Sequence, residues 1–455
     1  MFTSAKTILF SFLIFCSTII FAQPSTSRFM AVSDIHFNPF NACIQNVVPC
    51  PVINVLKQTP SSQWNATLAS YDSQIPAYGK DSGYILFKST MTELQQKAIA
   101  NKINFVVILG DFLGHDYKDN YQLYSGDLTQ SGYESFVKKT FEFLASELAK
   151  TFPNIDVYPV IGNNDSYEGD YGSDVNTQFH SDLAKIFAPL IKNPTAQQSI
   201  QQDFSQTGYY SAEVGKGLHL IALDTNYFST RAANNSTVDS NAKAQLAFLS
   251  TELAFAKRTG EKALIVMHVP DAVDVYVTMK QNPFAVIETW KSNYIPRFQT
   301  VLFANQLAIS AVLAGHFHAD WQQVLFSKKA PVLVNGVPAI SPQFGNNPGY
   351  KIYEYTVHNS SLINFDTYFY NLNLNQWNAE YNFNQVYQPS CKNCRVLSGM
   401  QLLTKTGASA DQYKLFYAVS TNSQPITKSN KWIPFYWCAT QSAVAADYQT
   451  CVNNP

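Results

Sequence analysis

Six short apolar runs, rich in β-branched residues and each closed by a turn, set the rhythm of the chain. They are Phe29-Met30-Ala31-Val32, Phe105-Val106-Val107-Ile108-Leu109, Val157-Tyr158-Pro159-Val160-Ile161, and residues 218–223, 263–267 and 309–314. Runs that are apolar at successive positions, rather than at alternate ones, predict strands buried on both faces. Between them, residues 86–102, 134–150 and 242–257 repeat apolar side chains at three- and four-residue spacing with charges between. That spacing predicts helices with one buried stripe. Strands alternating with such helices predict a layered α/β fold in which helices cover sheets. After about Val357 the strong buried runs stop and Asn, Tyr and Gln become dense, as in Tyr368-Phe369-Tyr370-Asn371-Leu372-Asn373. A main domain over 23–369 and a small, helical C-terminal subdomain over 370–455 are therefore expected. The alternative is an extended tail packed on the main domain.

The start of the chain reads as an address. Lys6 is the sole charge before Arg28, residues 7–21 are almost wholly apolar, and Ala22-Gln23-Pro24 follows. This predicts a secretory signal peptide over 1–22, the run being too short and too interrupted by Ser and Thr for a membrane anchor. A secreted chain without a transmembrane segment is expected, in an extracellular, periplasmic or lysosome-like space. Export changes how the seven cysteines read. Cys16 leaves with the signal, and Cys43, Cys50, Cys391, Cys394, Cys438 and Cys451 remain, an even number in an oxidising compartment. Of the fifteen pairings six cysteines allow, proximity favours Cys43–Cys50, Cys391–Cys394 and Cys438–Cys451. A zinc site on Cys391-Lys392-Asn393-Cys394 would need a second ligand pair that the sequence does not supply. Asn65-Ala66-Thr67, Asn235-Ser236-Thr237 and Asn359-Ser360-Ser361 are glycosylation acceptors in a eukaryotic host. The balance of 31 Lys+Arg against 32 Asp+Glu leaves no basic stripe for duplex nucleic acid and no polybasic membrane signal.

The strand-like runs share an ending. Five of the six close on Asp34-Ile35-His36, Gly110-Asp111, Gly162-Asn163-Asn164-Asp165, Met267-His268 and Gly315-His316-Phe317-His318. In α/β sheets, ligands bind beyond the carboxyl ends of the strands. A lone polar residue there is usually a turn former or a helix cap, but five strand ends all supplying metal-capable side chains exceed what turn chemistry explains. Carboxylate, carboxamide oxygen and imidazole suit zinc, manganese or iron. A carboxylate at Asp111 can bridge two cations, which would clamp a phosphate and acidify a water between them.

This ordered set resembles the calcineurin-like metallophosphoesterase superfamily. Ser33-Asp34-Ile35-His36-Phe37-Asn38-Pro39, Gly110-Asp111 with His115 four residues on, and the disulfide-bonded C-terminal layout resemble its acid sphingomyelinase-like phosphodiesterase branch. The resemblance implies a four-layer α/β/β/α sandwich around two zinc ions. It places Asp34, His36, Asp111 and His318 on one ion, and Asp111, Asn163, His268 and His316 on the other. It further implies in-line attack by a hydroxide bridging the ions, with His115 protonating the leaving oxygen. Where the family has His after the metal-binding Asn, this chain has Asn164, which donates a hydrogen bond but cannot titrate. That favours good leaving groups, and the Asn-Asn-Asp run is similar to that of endopolyphosphatases. Gly114 stands where purple acid phosphatases carry the iron-binding Tyr. Too few residues separate the expected signal cut from Asp34 for a saposin-like lipid-extracting domain. The expected activity is thus hydrolysis of soluble phosphodiesters or pyrophosphates such as nucleotides, by a monomer. The alternatives are a sphingomyelin phosphodiesterase touching lipid through exposed aromatics, an endopolyphosphatase-like hydrolase, and a catalytically silent metal-containing binding protein.

Overall fold

A computed structural model describes residues 26–43, 47–72, 75–172, 177–281, 285–326, 331–391, 394–402, 407–421 and 425–454. The signal peptide expected over 1–22 lies outside the described residues. Every one of the six apolar runs forms a strand: β1 (Thr26–Val32), β2 (Phe105–Leu109), β3 (Asp156–Val160), β5 (Leu218–Ala222), β6 (Lys262–Met267) and β7 (Ile309–Ala314). Among the described residues six more join them: β4 (Tyr210–Gly215), β8 (Gln322–Leu325), β9 (Val332–Gly336), β10 (Gly349–Thr356), β11 (Leu362–Asn371) and β12 (Gln376–Asn382). They build two six-stranded sheets, in the orders β12-β11-β10-β1-β2-β3 and β4-β5-β6-β7-β9-β8. β1, β2 and β3 are mutually parallel, as are β5, β6, β7 and β9, with antiparallel strands toward the edges.

The side chains explain the layering. On the second sheet Leu220, Leu264, Val266, Ala311 and Leu313 pack into one core with Met30, Val107 and Ile352 of the first sheet. Their neighbours Ile221, Ile265, Met267, Val312 and Ala314 face the opposite way, into a second core with Leu246, Leu249, Leu253, Phe298 and Leu302. Alternation along a strand sends successive side chains to opposite faces, so this sheet is buried on both. The helices Tyr84–Asn101 and Gln130–Thr151 cover the first sheet, and Ser236–Thr259 and Ile295–Asn305 cover the second. The result is the expected α/β/β/α sandwich. The helix starting at Gln130 begins four residues earlier than its apolar repeat, because Thr129 accepts from the Gly132 amide as its N-cap. Asn235 caps the helix at Ser236 in the same way.

The C-terminal boundary needs a correction. An edge at 369/370 would cut β11, and β12 continues the first sheet to Asn382. The polar–aromatic alternation there belongs to a half-buried antiparallel hairpin, not to a helical region. From Phe383 onward the described elements are short helices. Tyr413, Tyr417, Ile426 and Tyr436 from this segment pack into the second core of the sandwich. The three disulfides join Cys43 to Cys50, Cys391 to Cys394 and Cys438 to Cys451, as proximity favours. Among the described residues, no helix is long and apolar enough to cross a membrane.

Candidate functional site

The carboxyl ends of β1, β2, β3, β6 and β7 meet at one edge of the sandwich. Their loops are sewn together by backbone hydrogen bonds: the amide of Asp34 donates to Gly110 O at 3.1 Å, that of His36 to Asp111 O at 2.9 Å, and that of Gly315 to His268 O at 3.1 Å. Asp34, His36, Asp111, His316 and His318 all have positive φ, from 43° to 73°. Side chains other than glycine adopt this region at a cost of about 1 kcal/mol or more each, and such strain gathers at functional sites. Glycine permits the close approach. A Cβ on Gly110, itself at φ +87°, would lie 2.6 Å from Gly162 N, and one on Gly162 would collide with the amide and carboxylate of Asp111. Buried Asp165 brackets the same loops, its carboxylate accepting from the amides of Phe112, Leu113 and Gly162 at 2.9, 3.1 and 2.9 Å.

All seven side chains anticipated as ligands converge here. His36 Nδ1 donates to Leu113 O at 2.9 Å and His268 Nδ1 donates to Leu109 O at 2.6 Å. A carbonyl can only accept, so Nδ1 carries a proton and each ring turns Nε2, the atom a cation would take, toward the centre. His36 Nε2 lies 3.0 Å from His318 Nε2 and 3.4 Å from Asp111 Oδ2, and His318 Nε2 lies 3.3 Å from Asp34 Oδ1. On the other side, Asn163 Oδ1 is 3.1 Å from His268 Nε2 and 2.9 Å from His316 Nδ1, and His268 Nε2 is 3.1 Å from Asp111 Oδ2. Candidate ligand atoms of Asp34, His36 and Asp111 lie within 4.8 Å of one another, as do those of Asp111, His268 and His316. Asp111 belongs to both groups. His318 Nδ1 is buried without a partner. The donor set fits divalent cations of the zinc, manganese and iron kind.

The electrostatics agree. Burial alone would raise the Asp34 and Asp111 carboxyls, but the neighbouring imidazoles, His318 and His268 foremost, hold both well below the usual carboxylate range. Burial works against charge on His36 and His268 as well, yet Asp111 above all lifts them to about 9 and about 10. Burial and the charge of His268 push His316 down to about 3. A proton and a divalent cation therefore compete for the same Nε2 atoms of His36 and His268.

His115 stands beside it. Its ring stacks on that of His36 with centroids 4.1 Å apart and planes 17° apart. Its Nδ1 donates to Asp81 Oδ1 at 2.8 Å, and its amide donates to Asp81 Oδ2 at 2.7 Å. Asp81 also accepts from Asn38 Nδ2 and Ser341 Oγ, both at 3.2 Å. Burial would raise its carboxyl, but the hydrogen bond from His115 and the charge of His36 hold it at about 2. Asn164 points its carboxamide at Asp111, with Nδ2 2.9 Å from Oδ2 and its amide 2.8 Å from Oδ1. One of its two side-chain N–H groups is therefore committed to Asp111, and the residue lines the same pocket.

Sequence reasoning missed Asp81, Asp170, Tyr171 and Arg231, and quoted Asp165 in its motif without a role. Asn163 Nδ2 donates to Asp170 Oδ1 at 2.8 Å, which turns the carboxamide oxygen toward the two histidines, and Tyr171 Oη lies 3.4 Å from His316 Nε2. Asp165 carried a signal, the repeated acidic and amide residues after Gly162. Asp81 carried none, in a turn far from any strand end. The pocket over the centre encloses about 170 Å³ and is walled by Tyr171, Tyr276, Phe317, Phe344 and Tyr417.

Residues 27–320 match the family described as Calcineurin-like phosphoesterase. The chain is 25% identical to Sphingomyelinase phosphodiesterase D of Dictyostelium discoideum, over 79% of this chain and 80% of that protein. It is 22% identical to Acid sphingomyelinase-like phosphodiesterase 3b of Mus musculus, over 98% and 94% of the two chains. It is 26% identical to Cyclic GMP-AMP phosphodiesterase SMPDL3A of Homo sapiens, over 68% and 69%. A match running from β1 past the histidines that follow β7, over a pocket built from acids and imidazoles, carries one conclusion: the chain belongs to the calcineurin-like phosphoesterase family and is a phosphoric ester hydrolase of its acid sphingomyelinase-like branch.

Proposed function

We propose that the protein is an exported two-zinc phosphodiesterase acting on soluble phosphodiesters and pyrophosphates, nucleotides among them. The observation that carries this reading is the convergence of Asp34, His36, Asp111 and His318 with Asn163, His268 and His316 on two sides of the shared Asp111 carboxylate. Divalent cations held there would neutralise phosphoryl charge and supply an activated water nucleophile. The chain's own groups do the rest. Carbonyls of Leu113 and Leu109 keep His36 and His268 in one tautomer, so their Nε2 lone pairs are preorganised. Asp170 aims the Asn163 oxygen inward. As water adds to phosphorus, losing a proton to solvent, and the phosphorus–oxygen bond to the leaving group breaks, His115 in its imidazolium form gives its Nε2 proton to the departing oxygen while its Nδ1–H stays on Asp81. Asp81 steadies its ring for that transfer. The uncommitted N–H of Asn164 binds a phosphoryl oxygen. Three disulfides support an oxidising compartment.

The test is a turnover panel on zinc-loaded protein: nucleoside polyphosphates, dinucleotides, bis-p-nitrophenyl phosphate and sphingomyelin. Hydrolysis of the soluble substrates, abolished in His316→Ala, supports the proposal, and bound zinc with no turnover supports a silent binding protein instead. The names of two relatives favour a second reading, a sphingomyelin phosphodiesterase. Phosphocholine release from micellar and bilayer sphingomyelin, at rates above those for the soluble panel, would establish it.

A further inference from the structure

One group in the pocket plays no part in the chemistry above. Arg231 is the sole Lys or Arg among the described residues lining the pocket, where three carboxylates, Asp111, Asp170 and Asp274, also stand. Its guanidinium lies over the face of Tyr171, with Cζ 4.4 Å from the ring centroid. One nitrogen is 3.6 Å from Asp170 Oδ2. Both supports run back to the centre, because Asp170 holds the Asn163 carboxamide and Tyr171 touches His316. Arg231 is thus braced on the Asn163–His316 side, while His115 stacks on His36 at the other side. The two poles of the pocket are different: a proton donor at one, a permanent cation at the other.

Stability does not account for that placement. The side chain is 66% exposed, and an exposed ion pair beyond hydrogen-bond distance contributes little. A guanidinium carries five donors in a planar fork that matches a phosphate, and Asp170 and Tyr171 leave part of that fork for another partner. The cation–π contact and the neighbouring acid hold it in position, which reduces the entropy lost on binding.

We infer that Arg231 is a specificity residue that binds a second phosphate group of the substrate, next to the phosphate that reacts. This rests on the phosphodiesterase reading and narrows it. Preferred substrates carry two phosphates within reach of each other, as in pyrophosphate-linked nucleotides or dinucleotides with two phosphodiesters. A quaternary ammonium placed at this rim meets a like charge.

The test compares two substrates that share a nucleoside: diadenosine diphosphate, with two phosphates, and the p-nitrophenyl ester of AMP, with one. In Arg231→Ala, the ratio of their kcat/KM values falls about tenfold, mostly through a higher KM for the diphosphate, as expected for a lost charge-assisted contact. Arg231→Lys recovers part of the ratio. A ratio unchanged within twofold, or an equal loss of kcat on both substrates, overturns the inference. A second measurement is independent of turnover: the affinity of zinc-loaded protein for methylenediphosphonate against methylphosphonate. A loss in Arg231→Ala confined to the bisphosphonate upholds the inference, and equal affinities in the two proteins overturn it. Should the wild-type protein cleave neither nucleotide, the phosphodiesterase reading fails on its own, and the affinity pair still decides the role of Arg231.

Discussion

A neutral histidine offers one nitrogen to a cation and keeps its proton on the other, and here backbone carbonyls fix which is which. His36 and His268 spend their Nδ1 protons on Leu113 O and Leu109 O, so the loop geometry and not the histidine type alone makes them acceptors. His115 differs because its Nδ1 partner is the carboxylate of Asp81. That pairing predicts separate consequences for the two residues. His115→Ala lowers kcat about a hundredfold on a diester with an alkoxide leaving group, and far less on bis-p-nitrophenyl phosphate, whose phenolate leaves without a proton. Asp81→Asn, which keeps the shape but loses the charge, lowers kcat on the alkyl diester about tenfold while leaving the metal content unchanged; kinetics on both substrates with elemental analysis checks this. At this scale the sequence was legible where chemistry and strand ends coincided, as at Asp34, Asp111 and His316. Asp81, Asp170 and Arg231 were not, because they sit in loops with no periodic signal, and only the folded chain brings them within 4 Å of their partners.

Elements were legible in proportion to their burial. β2, β6 and β7 are flanked by strands on both sides and covered on both faces, so nearly every position is apolar and the run stands out. β4, β8 and β12 lie at sheet edges or beside them and mix in polar residues, and β12 has no fully buried position. The loops after the strands carry their own constraint. A methyl group at Gly162 meets the backbone and carboxylate of Asp111, so Gly162→Ala costs about 2 kcal/mol or more by overpacking and reduces metal content. Calorimetry and elemental analysis test both effects. The segment after β6 also contains Asp271, 1% exposed, which accepts from Gln299 Nε2 at 3.0 Å while its Oδ1 has no partner. Burial pushes its carboxyl up to about 7, Glu288 adding to the shift and the Gln299 hydrogen bond opposing it. Between about pH 4 and pH 7 an unfolded chain releases a proton that the folded chain keeps. Stability from this site is therefore present in acid and lost as pH rises through that window. Asp271→Asn flattens this part of the stability–pH profile and raises the melting temperature at pH 7.5 more than at pH 4.5.

Among the described residues the parallel strands of the two sheets end at one edge, which lets one cluster of candidate metal ligands draw on both. Asp34, His36 and Asp111 come from the first sheet, and His268, His316 and His318 come from the second. Fold and centre therefore depend on each other: strand-end loops far apart in sequence become neighbours only when the sheets stack. The segment from Phe383 onward takes part as well, since Tyr413, Tyr417, Ile426 and Tyr436 fill the second core and Tyr417 walls the pocket. A chain ending at residue 382 loses the burial of these four large side chains, about 5 kcal/mol or more, and unfolds at a lower temperature in calorimetry. The four-layer architecture was readable from apolar runs and helical stripes, whereas the end of the sheet at Asn382 was not, because antiparallel half-buried strands resemble polar loops in composition. The most direct measurement is anomalous X-ray diffraction from crystals of the zinc-loaded protein, combined with elemental analysis in solution. The account predicts two zinc peaks on either side of the Asp111 carboxylate, one beside His36 and His318 and one beside Asn163, His268 and His316, with a stoichiometry of two per chain. A centre that binds no zinc, or a lone peak with His268 and His316 turned away from it, contradicts the account.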